Sequence, residues 1–162
     1  MAQLEGGEEL RQRLALRLRR LTGEVEHLGH QFAALHAMHP TDMRALVVLL
    51  DAERDGRTMT PGRLGAELNL TSASMTALVD RLERSGHVQR VRDPGDRRRV
   101  SLQVQPKVHE VGRAFFGGLN RELIEAMAGF DEAELNAIDR FLAAMTGVVV
   151  ANRQARGTPS RP

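Results

Sequence analysis

A chain of 162 residues is long enough for one domain with an additional module. Hydrophobic residues make up 41% of it but aromatic residues only 3%, so a core has to be built from Leu, Val, Ala and Met, which favours helices. The sequence contains no cysteine, which excludes disulfides, thiolate metal ligands and thiol redox chemistry.

The N-terminus and the hydropathy of the chain predict a soluble, cytoplasmic protein. The first residues, MAQLEGGEEL, are acidic and polar where a secretory signal would be basic and then apolar. No apolar run approaches the roughly 18 residues of a membrane-spanning helix, so we expect no membrane partner.

Charge is distributed unevenly, although the formal net charge is only +2. Between Arg84 and Arg99, six arginines stand against two aspartates. Arginine-rich surface loops are common, but a local excess of this kind is also typical of a surface that binds a polyanion.

Apolar periodicity predicts three helices in the first half of the chain. A heptad-like stripe over residues 8–37 predicts a helix about 40 Å long, more than one small domain can cover, so we expect part of it to meet another subunit. A second helix begins with Thr41 or Asp42 as N-cap, and a third begins at Pro61 after the cap Thr60. The stripe of the first helix consists of Leu14, Leu18, Leu21, Val25, Leu28, Phe32 and Leu35.

A fourth helix is predicted from Ser72 to Ser85, because Gly86 is a natural residue at the position after a helix end. Alternating apolar residues on both sides of the Asp93–Arg98 turn then predict a two-stranded hairpin. The face of the fourth helix that we expect to be buried carries Met75, Leu78, Val79 and Leu82.

The C-terminal third is predicted to be helical again. Pro106 opens a helix that we expect to be interrupted near Gly117 and Gly118, and Phe130-Asp131 starts the last helix. Residues 151–162 are predicted to form a disordered tail. The apolar stripe of the last helix contains Leu135, Ile138, Leu142, Met145 and Val149.

Helix, tight turn, helix and basic hairpin follow one another in the order of a winged helix-turn-helix, which we place at residues 41–105. The outward face of the fourth helix carries short side chains, as close approach to base edges in a major groove requires. The turn projects Arg97 and Arg98, which suit a narrow minor groove. The residues predicted to bind DNA are Ser72, Ala73, Ser74, Thr76, Ala77, Arg81, Arg90, Arg92, Arg97, Arg98 and Arg99.

Two less specific interpretations of these features stay open. The segment 71–74 also suits a helix cap followed by a featureless exposed face. The arginines around the turn are also compatible with a solvated loop of charges, although such a loop more often mixes Lys and Glu.

The stretch LGAELNLTSASMTALVDRLERSGHVQRVRDPGDRRRVSL resembles the MarR family of bacterial transcriptional regulators. Residues 78–86, LVDRLERSG, and 93–100, DPGDRRRV, match the end of its recognition helix and its wing. The resemblance implies a mainly α fold with a small β-hairpin, and Arg98 as the wing arginine. It departs from the family at 104–108, where Leu-Thr-x-x-Gly is replaced by Val-Gln-Pro-Lys-Val.

The same resemblance implies the partners of the protein. It predicts a homodimer, joined by helices in residues 8–37 and 106–150, that binds a pseudo-palindromic operator in double-stranded DNA. It also predicts a repressor released by a small amphipathic or aromatic effector, unless the lining residues are ordinary core and surface. The candidate lining is His27, Gln31, His36, Met38, Met43, Arg44 and Phe115.

Other functions have weaker support in the sequence. His27 and His30, like His36 and His39, are spaced for metal chelation, but no third ligand is evident, so we assign no metal and no cofactor. A metal-responsive regulator on the same fold stays an alternative, as does a winged-helix protein-interaction or architectural module without its own operator. We predict no enzyme, because phosphate-cradling Gly-rich loops, His-Glu-x-x-His and Gly-x-Ser-x-Gly motifs are all missing.

Overall fold

The computed structural model describes residues 2–92 and 100–157 and confirms a mainly helical fold with one antiparallel hairpin. Its contacts divide the chain into two units, residues 1–105 and residues 106–162. In chain order, the elements are α1 (Ala2–Leu35), α2 (Pro40–Arg54), α3 (Pro61–Leu68), α4 (Ser72–Arg84), β1 (Val88–Arg92), β2 (Val100–Val104), α5 (Pro106–Met127) and α6 (Glu132–Gly157).

In the first unit, α1 is mostly exposed and packs on α2 only near its end. Phe32 and Ala33 are its buried residues, and the helix ends at Leu35, two residues earlier than predicted. The chain then reverses through Ala37, whose φ of 48° is left-handed, while the Met38 N–H donates to the Ala33 carbonyl at 2.8 Å.

The predicted cap of α2 was wrong. The helix begins at Pro40, and His39 is the N-cap because its Nδ1 accepts the Thr41 N–H at 3.2 Å. Proline suits the first helical position, since it has no N–H to satisfy and its φ is already helical. Thr41 and Asp42 therefore lie inside the first turn, and the side chain of Asp42 is buried.

The two helices of the helix-turn-helix begin where the sequence predicts them, at Pro61 and Ser72. The Thr60 hydroxyl accepts the Arg63 N–H at 3.3 Å ahead of α3, and the Thr71 hydroxyl accepts the Ser74 N–H at 3.2 Å ahead of α4. Between them, Asn69 ends α3 in the left-handed conformation with φ 55°. This tight turn fixes α4 across α3, where Gly65 approaches the side chain of Met75.

The core of the first unit lies between α2, α3, α4 and the hairpin. The predicted inner face of α4 is buried, as are Leu64 of α3, Val88 of β1 and Leu102 of β2. The Leu102 N–H also donates to the Met59 carbonyl at 2.8 Å, so the segment before α3 is tied to the hairpin. The hairpin register pairs Val88 with Val104 and Arg92 with Val100.

The second unit consists of two long helices, and two predictions about them were wrong. Helix α5 runs without a break through Gly117 and Gly118, since glycine weakens a helix by only about 1 kcal/mol and does not force a stop. Helix α6 continues to Gly157, so residues 151–157 are helical rather than part of a disordered tail. Alanine, glutamine and arginine in ANRQARG are good helix formers, which explains the continuation.

The start of α6 was predicted correctly. Asp131 and Glu134 form a reciprocal capping box: the Glu134 N–H donates to Asp131 at 2.8 Å and the Asp131 N–H donates to Glu134 at 2.9 Å. Across the ranges that the structure describes, no helix has the length and apolar character to cross a membrane.

Candidate nucleic-acid interface

The outward face of α4 is covered by small side chains. Because Met75, Leu78, Val79 and Leu82 turn toward the core, the intervening positions face away from it. All five residues predicted for the first two turns of this face are exposed: Ser72, Ala73, Ser74, Thr76 and Ala77.

Hydrogen bonds order the first two turns of this face. The Thr71 hydroxyl donates to the Ser74 hydroxyl at 3.0 Å, in addition to accepting the Ser74 N–H. The Thr76 hydroxyl donates to the Ser72 carbonyl at 3.0 Å. The backbone of α4 is thus accessible behind short side chains in defined positions, an arrangement that suits insertion into a groove.

Arg81, one of the predicted DNA contacts, is bound to Asp42 of α2. Its Nε and Nη2 donate to the two carboxylate oxygens at 2.8 Å and 2.5 Å. The hydrogen bonds to Asp42 raise the pKa of Arg81 above its usual value, and burial offsets part of that rise. The carboxylate is buried, whereas the arginine side chain is 42% exposed.

Arg90, another predicted contact, joins β1 to the last turns of α4. Its Nη2 donates to Asp80 at 2.7 Å, its Nη1 donates to Glu83, and its backbone N–H donates to Glu83 at 2.9 Å. Burial lowers the pKa of Arg90, but the hydrogen bonds and charges of Asp80 and Glu83 more than compensate and raise it overall. These bonds set the angle at which the hairpin leaves α4.

The remaining predicted arginines lie toward the end of the hairpin. Arg92 is exposed at the end of β1. Arg97, Arg98 and Arg99 lie outside the described residues, so their role stays a prediction. Arg84 was not in the predicted contact set, yet it is exposed in the last turn of α4. Its spacing of seven residues from Ala77 was the signal for it, because that spacing returns to the same helix face.

The predicted effector residues belong to both units and differ in exposure. His27, Gln31 and Arg44 are exposed, Met38 and Met43 are half-buried, and the His36 ring stacks on Phe32 with centroids 4.4 Å apart. Phe115 belongs to the second unit, where it stacks on Phe116.

A cleft of about 420 Å³ opens elsewhere in the first unit, between the end of α2 and β2, and none of the predicted effector residues lines it. Its walls include Leu49, Met59 and Val104.

No group of three or more metal-ligating side chains occurs in residues 2–92 and 100–157. His36 and His39 do not share a helix as their spacing suggested, because α1 ends at Leu35 and His39 caps α2.

Sequence comparisons identify related transcriptional regulators. A model of the MarR family matches residues 36–99. The uncharacterized HTH-type transcriptional regulator YcgE of Bacillus subtilis is 35% identical over 132 residues, which cover 81% of this chain and 83% of YcgE. The HTH-type transcriptional repressor YetL of the same organism is 25% identical over 129 residues, 80% of this chain and 76% of YetL.

Solved structures of the S. aureus protein MepR share the fold. A MepR mutant superposes with a TM-score of 0.69 at 17% identity, covering 84% of this chain and 96% of MepR. The MepR–DNA complex gives 0.53 at 18% identity, with coverages of 81% and 96%. MepR bound to ethidium bromide gives 0.53 at 19% identity, with coverages of 83% and 95%. With the identity to YcgE and the family match, these findings show that the chain belongs to the MarR family of DNA-binding transcriptional regulators.

Proposed function

We propose that the protein is a homodimeric repressor that binds a pseudo-palindromic operator in double-stranded DNA and is released by a small ligand. In this proposal α4 enters the major groove and the hairpin arginines reach the adjacent minor groove. The observation that carries it is the outward face of α4, where five short side chains are exposed over two ordered turns.

The composition of that face suits sequence recognition rather than general attraction to DNA. Hydroxyls of Ser72, Ser74 and Thr76 can donate to or accept from base edges and phosphates, and the methyl groups of Ala73 and Ala77 suit the thymine methyl. None of these five side chains is charged, so they do not account for non-specific affinity. We therefore assign sequence preference to α4.

Exposed arginines at the end of α4 and in the hairpin supply the phosphate contacts in this proposal. Arg84 and Arg92 are exposed at the end of α4 and of β1, and Arg97–Arg99 follow in the sequence. Each phosphate that a guanidinium neutralises releases counterions, so operator affinity should fall steeply as salt is added.

Exposed apolar side chains on α1, α5 and α6 support the homodimer. Leu21 and Val25 of α1 are 54% and 57% exposed, and Leu142 of α6 is 44% exposed. A single chain that leaves such surface in water favours association with a second copy. A two-fold dimer presents two copies of α4, which is why we propose a pseudo-palindromic site.

Ligand release rests on the relative MepR, for which a complex with ethidium bromide has been solved. Arg44 is exposed near the half-buried Met38 and Met43 in sequence and suits an anionic or phenolic ligand. A thermal-shift titration with benzoate and phenol, compared with an Arg44→Ala variant, tests this part of the proposal separately from DNA binding.

Footprinting on the DNA that flanks the protein's own gene tests the DNA-binding part. We expect a protected site with two half-sites about one helical turn apart. Arg98→Ala should weaken binding to that site by about tenfold at fixed salt, since it removes a minor-groove arginine and the charge it carries. Its dimerisation, measured by sedimentation, should stay as in the wild type.

Arg54→Ala is the matched control, because Arg54 is an exposed arginine at the far end of α2. It should leave the footprint unchanged. Equal operator affinity in Arg98→Ala and wild type would overturn the wing assignment. Absence of any protected site would instead favour a winged-helix module that acts through protein contacts.

A further inference from the structure

Asp42 is the one charged side chain that is buried in the part of the chain described by the structure, with 5% of its surface exposed. It lies in the first turn of α2, and Arg81 lies in the last turns of α4. Arg81 satisfies both carboxylate oxygens with two parallel hydrogen bonds, from Nε at 2.8 Å and from Nη2 at 2.5 Å. A bidentate contact fixes the orientation of the two groups as well as their distance.

The pair joins two helices whose other buried residues are all apolar. Leu78, Val79 and Leu82 bury the inner face of α4 in the core. Apolar burial is not directional, so it holds α4 in place without specifying its rotation tightly. The fork from Arg81 to Asp42 is directional and reaches across 39 residues of sequence. It is therefore suited to set the angle at which the outward face of α4 is presented.

The electrostatics of the two helices favour the same arrangement. A carboxylate in the first turn of α2 and a guanidinium in the last turn of α4 each complement the dipole of their own helix. If Arg81 moved to a DNA phosphate, the Asp42 carboxylate would be left buried without a partner, which is strongly destabilising.

We propose that Arg81 is a positioning residue and not a DNA contact: with Asp42 it forms a latch that fixes the rotation of α4 for operator recognition. This inference rests on the proposed function, because it concerns the same helix and the same operator. It also makes Asp42, an acidic residue on another helix, a determinant of sequence specificity.

Asp42→Asn gives a test in which the two roles of Arg81 predict opposite changes in operator affinity. The substitution keeps the side-chain volume and makes the protein more positive by one charge. If Arg81 binds phosphate and Asp42 only restrains it, operator affinity should rise. If the pair positions α4, operator affinity should fall by about tenfold, the loss expected for about one base contact.

Binding to random-sequence DNA of the same length provides the readout that a general loss of structure would not reproduce. The latch predicts that this non-specific affinity stays within about twofold of wild type or rises, because phosphate contacts do not depend on base edges. The ratio of specific to non-specific affinity should therefore fall about tenfold.

Arg81→Lys provides a second test that keeps the charge. A lysine can neutralise a phosphate but cannot form the bidentate fork. The latch predicts a loss of operator affinity close to that of Asp42→Asn, with an unchanged slope of log affinity against log salt. Arg54→Lys is the matched control, because Arg54 is an exposed arginine in the last turn of α2 and outside the proposed interface, and it should bind the operator as wild type does.

Higher operator affinity in Asp42→Asn, or wild-type affinity in Arg81→Lys, would overturn the latch. If Asp42→Asn fails to fold, as judged by its thermal melting, the Arg81→Lys result decides alone, since that side chain is partly exposed. Failure of the wild-type protein to select any operator would count against the proposed function, an outcome distinct from all of these.

Discussion

Two regions of the molecule differ sharply in how far their apolar side chains are buried. The winged-helix lobe, residues 40–104, leaves its large apolar side chains buried or half-buried, and Val47 is its one large hydrophobic residue that is exposed among the described residues. The framework helices α1, α5 and α6 expose most of theirs. These exposed residues are Leu10, Leu14, Leu16, Leu21, Val25, Leu35, Leu119, Leu123, Ile124, Met127, Ile138, Leu142, Val148 and Val149.

The difference shows which part of the fold the single chain completes. In the lobe, short helices cross at tight turns and close a core around Leu64, Leu78 and Leu82. Each framework helix is too long for that, and α1 packs on the lobe only near Phe32. Since buried apolar area is the main stabilising term in folding, the framework is expected to gain its stability by association.

The largest expected effect comes from a charge on the framework stripe. Leu142→Glu should convert the proposed dimer to monomer, because a carboxylate buried without a partner costs roughly 3 kcal/mol or more at an interface. Analytical ultracentrifugation at micromolar concentration measures this directly. Operator binding should be lost with the dimer, since one lobe engages only one half-site.

Ala144→Glu is the control on the same helix. It introduces the same charge two residues away, about 200° around the helix from Leu142, on the side opposite the stripe. It should remain dimeric. If both variants were dimeric, the apolar stripe of α6 would not be the interface, and the difference between lobe and framework would need another explanation.

A substitution that leaves a cavity in the core of the lobe should lower the stability of the fold without weakening dimerisation. Leu64 has no exposed surface, so Leu64→Ala should lower the free energy of unfolding by about 2–5 kcal/mol while the dissociation constant of the dimer stays unchanged. Val47→Ala removes the exposed hydrophobic residue of the same lobe and should cost less than about 1 kcal/mol. Urea unfolding at fixed protein concentration measures the free energy of unfolding of both variants. Similar losses in Leu64→Ala and Val47→Ala would mean that Val47 is covered in the assembled protein.

What the sequence predicted well is local in origin. The inner face of α4 follows from the 3.6-residue period, the cap Thr60 from its hydroxyl, and the hairpin from alternation around a turn. These features need only neighbouring residues to form, so a single sequence contains the information for them. The small-residue face of α4 was predicted for the same reason.

What the sequence did not predict depends on partners far away in the chain. Nothing near Asp42 in the sequence indicates that Arg81, 39 residues later, binds its carboxylate, so this ion pair was not predicted. The run through Gly117 and Gly118 was misjudged because glycine lowers helix stability without ending a helix. The exposed stripes of the framework were visible in the sequence, but a single chain cannot show what covers them.

The smallest expected effect lies at the boundary between the two regions. His39 follows the turn after α1 and caps α2 through a hydrogen bond of 3.2 Å from the Thr41 N–H to its Nδ1. His39→Ala removes that acceptor and should lower the unfolding free energy by about 1 kcal/mol. At this chain length that corresponds to a fall of about 2–4 °C in melting temperature at fixed protein concentration.

His39→Asn is the informative partner of that variant, because asparagine is among the strongest N-cap residues and should restore or exceed wild-type stability. Neither substitution should change the dissociation constant of the dimer, since the cap belongs to the lobe and leaves the framework stripes untouched. A change in dimerisation with His39→Ala would mean that the end of α1 and the start of α2 respond together. The start of α2 would then belong to the framework that associates, and the lobe that is stable by itself would begin within α2 rather than at its first residue.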